Sequence, residues 1–72
     1  MTANTCLSIR VNGEAIRVSP GSSIATMLRE LGIEPAKVAV ERNLEIVPRS
    51  TLAEVEVTDG DTFEIVHFVG GG

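Results

Sequence analysis

The segment TCLSIRVNGEAIRV, residues 5–18, carries the clearest structural signal in the chain. Apolar and polar residues alternate on both sides of Asn12 and Gly13, as expected for two strands that each bury one face. A type I′ hairpin turn needs positive φ at both central residues, and Asn-Gly tolerates it best. The sequence therefore predicts a β-hairpin whose turn lies at residues 12 and 13.

A helix is predicted directly after this hairpin, in the segment SSIATMLRELG at residues 22–32. Its large apolar residues recur at i, i+3, i+4 and i+7, which places them in one stripe on a helix. These residues are Ile24, Met27, Leu28 and Leu31. Ser22 or Ser23 is expected to cap the first turn, because a serine hydroxyl accepts a hydrogen bond from an unpaired backbone N–H. Gly32 suits the left-handed position after the last turn, and Pro35 prevents continuation of the helix.

The second half of the chain has the pattern of short strands separated by turns. The predicted elements are strands within 37–42 and 44–47, a helical turn near 51–54, a turn at 58–61 and a last strand over 62–69. Pro48 closes the second of these strands, because proline cannot donate to a strand ladder.

This order of elements fits one mixed sheet packed on one face by the helix. It corresponds to an α+β, ubiquitin-like β-grasp fold with four to five strands and one main helix. Knowledge of that fold, rather than periodicity, places the first and last strands side by side and parallel in the sheet centre. We expect a single domain over residues 1–72, ending in a flexible glycine tail at about 69–72.

Size and composition limit the functions open to this chain. A domain of 72 residues has a small core, so a substrate pocket of a few hundred Å³ would take up much of its interior. We therefore expect no enzyme acting alone. The formal net charge of −4 disfavours a nucleic-acid partner and mildly favours a partner with a basic surface.

The cysteine, histidine and acidic residues, and the apolar segments, bear on the compartment and on metal binding. Cys6 is the only cysteine, so no internal disulfide is expected. We see no signal-peptide pattern and no apolar run approaching membrane-spanning length, so the expected location is the cytoplasm, without membrane attachment. His67 and Cys6 do not suffice for a metal site, which needs at least three ligands. The acidic residues between 54 and 64 are interpreted as a solvated face plus a turn.

The glycines at residues 70–72 follow an apolar strand immediately. Glycine has no side chain, so such an end can enter a narrow channel and deliver its carboxylate to a buried site. An α-carboxyl has a pKa of about 3.3–3.7 and is an anion at neutral pH, which makes it a poor acyl donor until it is activated. The sequence contains no phosphate-binding loop, so this activation is assigned to a partner.

The sequence resembles the sulfur-carrier proteins of thiamine biosynthesis, the ThiS family, over nearly its whole length. The resemblance rests on VNGE at 11–14, the helix entry GSSI at 21–24 with Leu28 and Leu31, VAVERN at 38–43, IVPR at 46–49, DGDTFEIV at 59–66 and VGGG at 69–72. Within VAVERN, Glu41 and Arg42 stand where carriers of this type often have apolar residues.

The resemblance implies a mechanism centred on Gly72, with Gly70 and Gly71 forming the slender tail. A ubiquitin-activating-type adenylyltransferase would adenylate the Gly72 carboxylate, so ATP is consumed by this partner and no cofactor is bound by the chain. Sulfur from a cysteine desulfurase persulfide or another donor would replace AMP and leave a thiocarboxylate. Thiazole synthase would then take the sulfur for the thiazole ring of thiamine. When free, the carrier is expected to be a monomer.

Docking residues are predicted from the alternation of the last strand. Phe63 and Ile65 share one face, whereas Val66 and Phe68 lie on the other, and Val69 leads into the glycines. Exposed large apolar residues indicate an interface, so Phe68, Val66 and Val69 are predicted to bind partners. A neighbouring loop covering Val66 and Phe68 is the alternative.

Other functions remain open at this stage. A carrier of the molybdopterin-synthase small-subunit type would share the fold and the thiocarboxylate. A non-covalent β-grasp interaction module would not need the glycine tail. A protein modifier that forms isopeptide bonds is a third alternative. The sequence assigns no role to Cys6, Arg49 or His67.

Overall fold

The computed structural model describes residues 6–68. Its elements are β1 (Leu7–Val11), β2 (Glu14–Val18), α1 (Ile24–Glu30), β3 (Val38–Arg42), β4 (Glu45–Val47) and β5 (Thr62–His67), with single 3-10 turns at Pro35–Lys37 and Arg49–Thr51. The strands form one sheet in the order β2-β1-β5-β3-β4, in which only β1 and β5 pair in parallel. This confirms the predicted β-grasp arrangement, with five strands and the first and last ones adjacent.

The hairpin turn forms where the Asn-Gly pair predicts it. Asn12 and Gly13 have φ of 50° and 86°, and Val11 pairs with Glu14 across the turn. Asn12 also makes two side-chain hydrogen bonds that the turn alone does not require. Its side chain accepts a hydrogen bond from the N–H of Ile65 at 2.8 Å and donates one to the carbonyl of Ile65 at 3.3 Å. The amide of Asn12 thus extends the parallel pairing of β1 and β5 beyond the end of β1.

Substitution of Asn12 is expected to separate the contribution of its positive φ from that of its side-chain hydrogen bonds to Ile65. Asn12→Gly keeps the positive φ but leaves the part-buried backbone groups of Ile65 without the side-chain amide, which should cost about 1–2 kcal/mol. Asn12→Ala should cost about 1 kcal/mol more, because alanine disfavours the left-handed conformation. Urea denaturation of both variants measures the change in the free energy of unfolding. Equal stability of Asn12→Gly and the unmodified protein would contradict the contribution of the side-chain bridge.

Local signals determine both ends of α1. Ser23, rather than Ser22, caps the helix: its Oγ accepts the N–H of Thr26 at 3.1 Å. At the other end the N–H of Ile33 donates to the carbonyl of Leu28 at 2.8 Å, and Gly32 has φ of 80°. Together with the bond from the N–H of Gly32 to the carbonyl of Arg29 at 3.0 Å, this bond forms the Schellman arrangement that the Gly32 position predicts.

The helix buries its apolar stripe against the inner face of the sheet. The core residues are Ile9, Val11, Val18, Ile24, Ala25, Met27, Leu28, Val38, Val40, Leu52, Val57, Phe63 and Ile65. Leu31, the fourth residue of the predicted stripe, is 37% exposed, because α1 ends at Glu30 and Leu31 occupies the cap position. The stripe prediction therefore holds for three of its four residues.

Three predicted boundaries in the second half need correction. The last strand, predicted over 62–69, ends at His67, and Phe68 follows it outside the strand. The strand predicted from Leu44 begins at Glu45, because Asn43 and Leu44 have φ of 50° and 72° and form the turn after β3. The helical turn predicted near 51–54 begins at Arg49, since the carbonyl of Pro48 accepts the N–H of Thr51 at 2.9 Å.

Asp61 hydrogen-bonds the backbone of its own turn, as the turn part of the interpretation predicts, but it is buried and does not belong to a solvated face. Its side chain is buried and accepts hydrogen bonds from the backbone N–H of Thr58 at 2.8 Å and from Nε of Arg42 at 3.0 Å. The Thr58 hydroxyl and the Asn43 amide donate to its second oxygen. Asp61 therefore ties the turn before β5 to the end of β3, which also explains the charged residue at position 42.

Candidate functional site

The outer face of the sheet, opposite α1, carries the predicted docking residues. Along β5 the buried Phe63 and Ile65 alternate with exposed residues, and Val66 and Phe68 are 61% and 56% exposed. No segment between residues 6 and 68 covers these two side chains, so the alternative of a covering loop is not supported within that part of the chain.

Two neighbours enlarge this apolar surface beyond the prediction. Ala39 pairs with Val66 across β3 and β5, and Ile46 on β4 is 75% exposed. We call the four side chains of Ala39, Ile46, Val66 and Phe68 the outer patch. The exposure of Ile46 could have been predicted, because adjacent residues of a strand face opposite sides of the sheet. Val47, the next residue of β4, is half-buried, so Ile46 faces outward. A shallow groove of about 160 Å³ runs between Ile46 and Phe68.

Phe68 is held at both its backbone and its ring. Its N–H donates to the carbonyl of Lys37 at 3.0 Å, which continues the pairing of β3 and β5 past the strand end. The guanidinium carbon of Arg49 lies 5.1 Å from the centroid of its ring, within cation–π range. Arg49, to which the sequence assigned no role, thus orients the aromatic side chain that immediately precedes the predicted tail.

The remaining predicted site residues, Val69, Gly70, Gly71 and Gly72, lie outside the described residues. Their roles stay predictions. The two side chains without an assigned role, Cys6 and His67, are exposed and take no part in the outer patch.

A second groove lies on the helix side of the molecule. It has a volume of about 480 Å³, is open to solvent, and is lined by α1 and the two 3-10 turns, including Arg29, Arg49 and Leu52. Among residues 6–68, no three His, Cys, Asp or Glu side chains are grouped so that they could hold a metal ion. Within the same residues, α1 is too short to cross a membrane.

Comparison with known proteins identifies the family. The model of the ThiS family matches residues 9–72. The sulfur carrier protein ThiS of Bacillus subtilis is 40% identical over 65 residues, covering 89% of this chain and 98% of that protein. The crystal structure of the thiamine biosynthesis protein ThiS from Geobacter metallireducens superimposes with a TM-score of 0.78 at 30% identity, covering 92% of this chain and all of that one.

A longer relative contains a similar segment. The thiazole synthase of Paramagnetospirillum magneticum is 52% identical over 66 residues, which cover 92% of this chain. This chain spans only 20% of the length of that protein. The match of the family model over residues 9–72, the match to the Bacillus subtilis sulfur carrier protein and the match to the Geobacter metallireducens structure establish the relationship. The chain belongs to the ThiS family.

Proposed function

We propose that this protein carries sulfur as a thiocarboxylate on Gly72 and donates it for the thiazole ring of thiamine. The observation that supports this most is the extent of the family match, which runs through the three glycines to residue 72. The names of the matched carriers favour the thiamine pathway over the molybdopterin pathway.

The chemistry follows from the properties of a carboxylate. An adenylyltransferase joins the Gly72 carboxylate to the α-phosphate of ATP, and pyrophosphate leaves. The terminal sulfur of a cysteine desulfurase persulfide then attacks the activated carbonyl, and AMP leaves. Reduction of the resulting S–S bond by a thiol releases the thiocarboxylate. The carrier supplies the acyl group, and its partners supply every catalytic group.

The globular body and the tail have separate tasks in this scheme. The outer patch gives the partner an apolar surface that ends at Phe68, next to the tail. Four extended residues span about 13–14 Å, which is enough to reach from that surface into a buried active site. A narrow entrance that admits only glycine would exclude ordinary protein termini.

Thiazole synthase is the proposed acceptor of the sulfur. The relative from Paramagnetospirillum magneticum, named thiazole synthase, contains a segment similar to this chain within the same polypeptide. Covalent linkage raises the effective concentration of one module near the other to the millimolar range. Such a fusion is useful only if the two modules meet, which supports docking of this separate carrier on thiazole synthase.

Intact-mass measurement tests the proposal directly. The protein is incubated with the adenylyltransferase, ATP, cysteine desulfurase, cysteine and a reducing thiol. We expect a gain of about 16 Da, because one oxygen of the carboxylate is replaced by sulfur. The same mixture without ATP should leave the mass unchanged. An unchanged mass in the complete mixture, with partners active on another carrier, would contradict the proposal.

Phe68→Ala is expected to weaken docking without unfolding the protein. Aromatic anchors at interface centres typically contribute about 2 kcal/mol or more, so the Kd for the adenylyltransferase should rise about 30-fold. The unfolding temperature should change little, because Phe68 is 56% exposed. Calorimetric titration measures the Kd. Leu31→Ala, at the end of α1, is the matched control, and an equal Kd for both variants would contradict a docking role for Phe68.

A further inference from the structure

The tip of the first hairpin combines two groups that can react with each other. Cγ of Asn12 is an amide carbon, and attack on it by the backbone nitrogen of Gly13 closes a five-membered ring. Glycine has no Cβ, so its nitrogen is less hindered than that of any other residue with an N–H. Both residues are exposed, and the N–H of Gly13 donates no hydrogen bond to any group between residues 6 and 68.

The reaction is deamidation, and water is its only co-reactant. The nitrogen of Gly13 forms a bond to Cγ of Asn12 and loses its proton to the solvent. The bond from Cγ to Nδ2 breaks, and Nδ2 takes up a proton and leaves as ammonia. Water then opens the cyclic imide at one of its two carbonyl carbons. One opening gives aspartate, and the other gives isoaspartate, in which the main chain runs through Cγ and is longer by one carbon.

The fold holds the side chain of Asn12 away from this reaction. Its Oδ1 accepts the N–H of Ile65 at 2.8 Å, and its Nδ2, which must leave, donates to the carbonyl of Ile65 at 3.3 Å. The backbone N–H of Asn12 donates to the carbonyl of Phe63 at 2.9 Å, so β5 fixes both the main chain and the side chain of residue 12. Rotation of the amide and departure of Nδ2 therefore require the bonds to Ile65 to break first.

Asn43 provides a comparison within the same chain. It has the same φ of 50°, and its side chain also bonds to the segment that begins β5. Its Oδ1 accepts the N–H of Thr62 at 3.0 Å, and its Nδ2 donates to Asp61 at 3.1 Å. Leu44 follows Asn43 where Gly13 follows Asn12, and its side chain hinders attack by its own backbone nitrogen. The two asparagines thus have similar surroundings and different intrinsic reactivity.

We propose that Asn12 is a site of spontaneous deamidation, that its hydrogen bonds to Ile65 suppress the reaction in the folded protein, and that isoaspartate at this position destabilises the fold. The product lacks the side-chain amide, which leaves the part-buried N–H and carbonyl of Ile65 without these partners. It also lengthens a two-residue turn whose length sets the register of β1 and β2. Because ammonia is lost, the change does not reverse, and the state of residue 12 records the time that a copy has spent unfolded.

Peptide mapping by mass spectrometry of the full chain at mildly alkaline pH tests the site. In urea that unfolds the protein, the peptide containing Asn12 should gain about 1 Da, since NH2 is exchanged for OH. This gain should be at least about tenfold faster than that of the peptide containing Asn43. Gly13→Ala should slow the reaction severalfold in the unfolded chain, where the strain of its turn plays no part. Equal rates at Asn12 and Asn43 would overturn the assignment of the site.

The same measurement without urea tests the protection. Reaction at Asn12 should be at least about tenfold slower in the folded protein than in the unfolded chain, because two hydrogen bonds must break first. Hydrogen exchange of the Ile65 N–H reports the same opening. Below the unfolding transition, added urea should therefore raise both rates by the same factor. A deamidation rate that stays constant while the Ile65 N–H exchanges faster would overturn the protective role of these bonds.

Thermal unfolding of the product tests the last part of the proposal. The isoaspartyl protein, isolated by chromatography after refolding, should melt at least about 5 °C below the unmodified protein. Asn12→Gly is the matched variant, because it lacks the same side chain but keeps the length of the turn. The isoaspartyl protein should melt below this variant as well. A melting temperature equal to that of the unmodified protein would overturn the destabilising effect.

Discussion

Deletion of Gly72 is expected to reduce thiocarboxylate formation at least 1000-fold while the protein stays folded. The shortened chain still ends in a glycine carboxylate, but this group lies one residue, about 3.3–3.6 Å, nearer to the domain. Reacting atoms must approach to about 3–3.5 Å, and a misplacement of about 1 Å already costs about 100-fold in rate. The docked carboxylate should therefore fall short of the α-phosphate of ATP.

The measurement is the initial rate of mass gain under the conditions that convert the unmodified protein. Gly72→Ala serves as the matched variant, because it keeps the length of the chain and adds one methyl group. If the length of the tail limits the rate of mass gain, Gly72→Ala should react faster than the deletion variant. If the width of the partner's channel limits this rate, Gly72→Ala should react more slowly than the deletion variant. Binding of the deletion variant to the adenylyltransferase should stay within about threefold of normal, because the outer patch is intact.

This deletion also separates the classes of function that the sequence leaves open. A non-covalent interaction module would tolerate the loss of Gly72, whereas any carrier or modifier would not. Full support of thiamine synthesis by the truncated chain would therefore refute the carrier function, whatever its effect in purified mixtures.

Asp61→Ala is expected to be the most destabilising single polar substitution in the domain. It removes the acceptor of the N–H of Thr58, of Nε of Arg42 and of the Asn43 amide. A hydrogen bond to a charged group typically contributes about 1.5–3 kcal/mol, so the loss of several of them should cost at least about 3 kcal/mol. A domain of this size has a total stability of only about 4–11 kcal/mol, so the variant should be largely unfolded or should melt at least 12 °C lower.

Thermal unfolding followed by circular dichroism measures this effect. Asp59→Ala is the control, because Asp59 lies in the same turn but is exposed and accepts a single hydrogen bond from the N–H of Ser8 at 2.7 Å. Its loss should cost about 1 kcal/mol. If both variants melt at the same temperature, the buried network does not have the stabilising role described for it.

The same carboxylate predicts how stability depends on pH. Burial on its own would raise the pKa of Asp61, but hydrogen bonds from Thr58, Asn43 and Arg42 outweigh it and hold the pKa below the ordinary value of 3.8. A pKa that is lower in the folded state gives stabilisation that is complete above the unfolded pKa. The contribution of Asp61 should thus be constant at neutral pH, begin to fall near the unfolded pKa and be lost as the pH falls through the lower folded-state pKa. In urea titrations, the difference in stability between the unmodified protein and Asp61→Ala should be equal at pH 7 and pH 5 and smaller at pH 3.

The features that could be predicted from the sequence are those fixed by neighbouring residues. Asn12-Gly13, the cap at Ser23 and the Schellman turn at Gly32 each depend on a few consecutive residues, and all three form as predicted. The alternation of β5 likewise predicted the exposure of Val66 and Phe68.

The features that escaped prediction depend on the register between strands that are distant in sequence. The burial of Asp61 requires Arg42 and Asn43 to arrive beside it from β3. The opposition of Glu41 and Glu64 follows only from the pairing of β3 with β5. The positive φ of Leu44 has no local signal, since a leucine rarely adopts it. Composition and spacing contain no information on any of these relations.

The central position of β5 affects how the protein is made and degraded. A nascent chain that has emerged only through residue 57 lacks the strand between β1 and β3, so its sheet remains in two unjoined halves. Folding must await this late, non-local pairing, which makes it slower than that of a helical domain of equal length. A protease that cuts within β5 likewise destroys the whole sheet instead of trimming an edge. Copies cut within β5, which lose part of this strand together with the tail, would thus unfold and be cleared, and they would not persist as competitive inhibitors of the enzymes that intact copies serve.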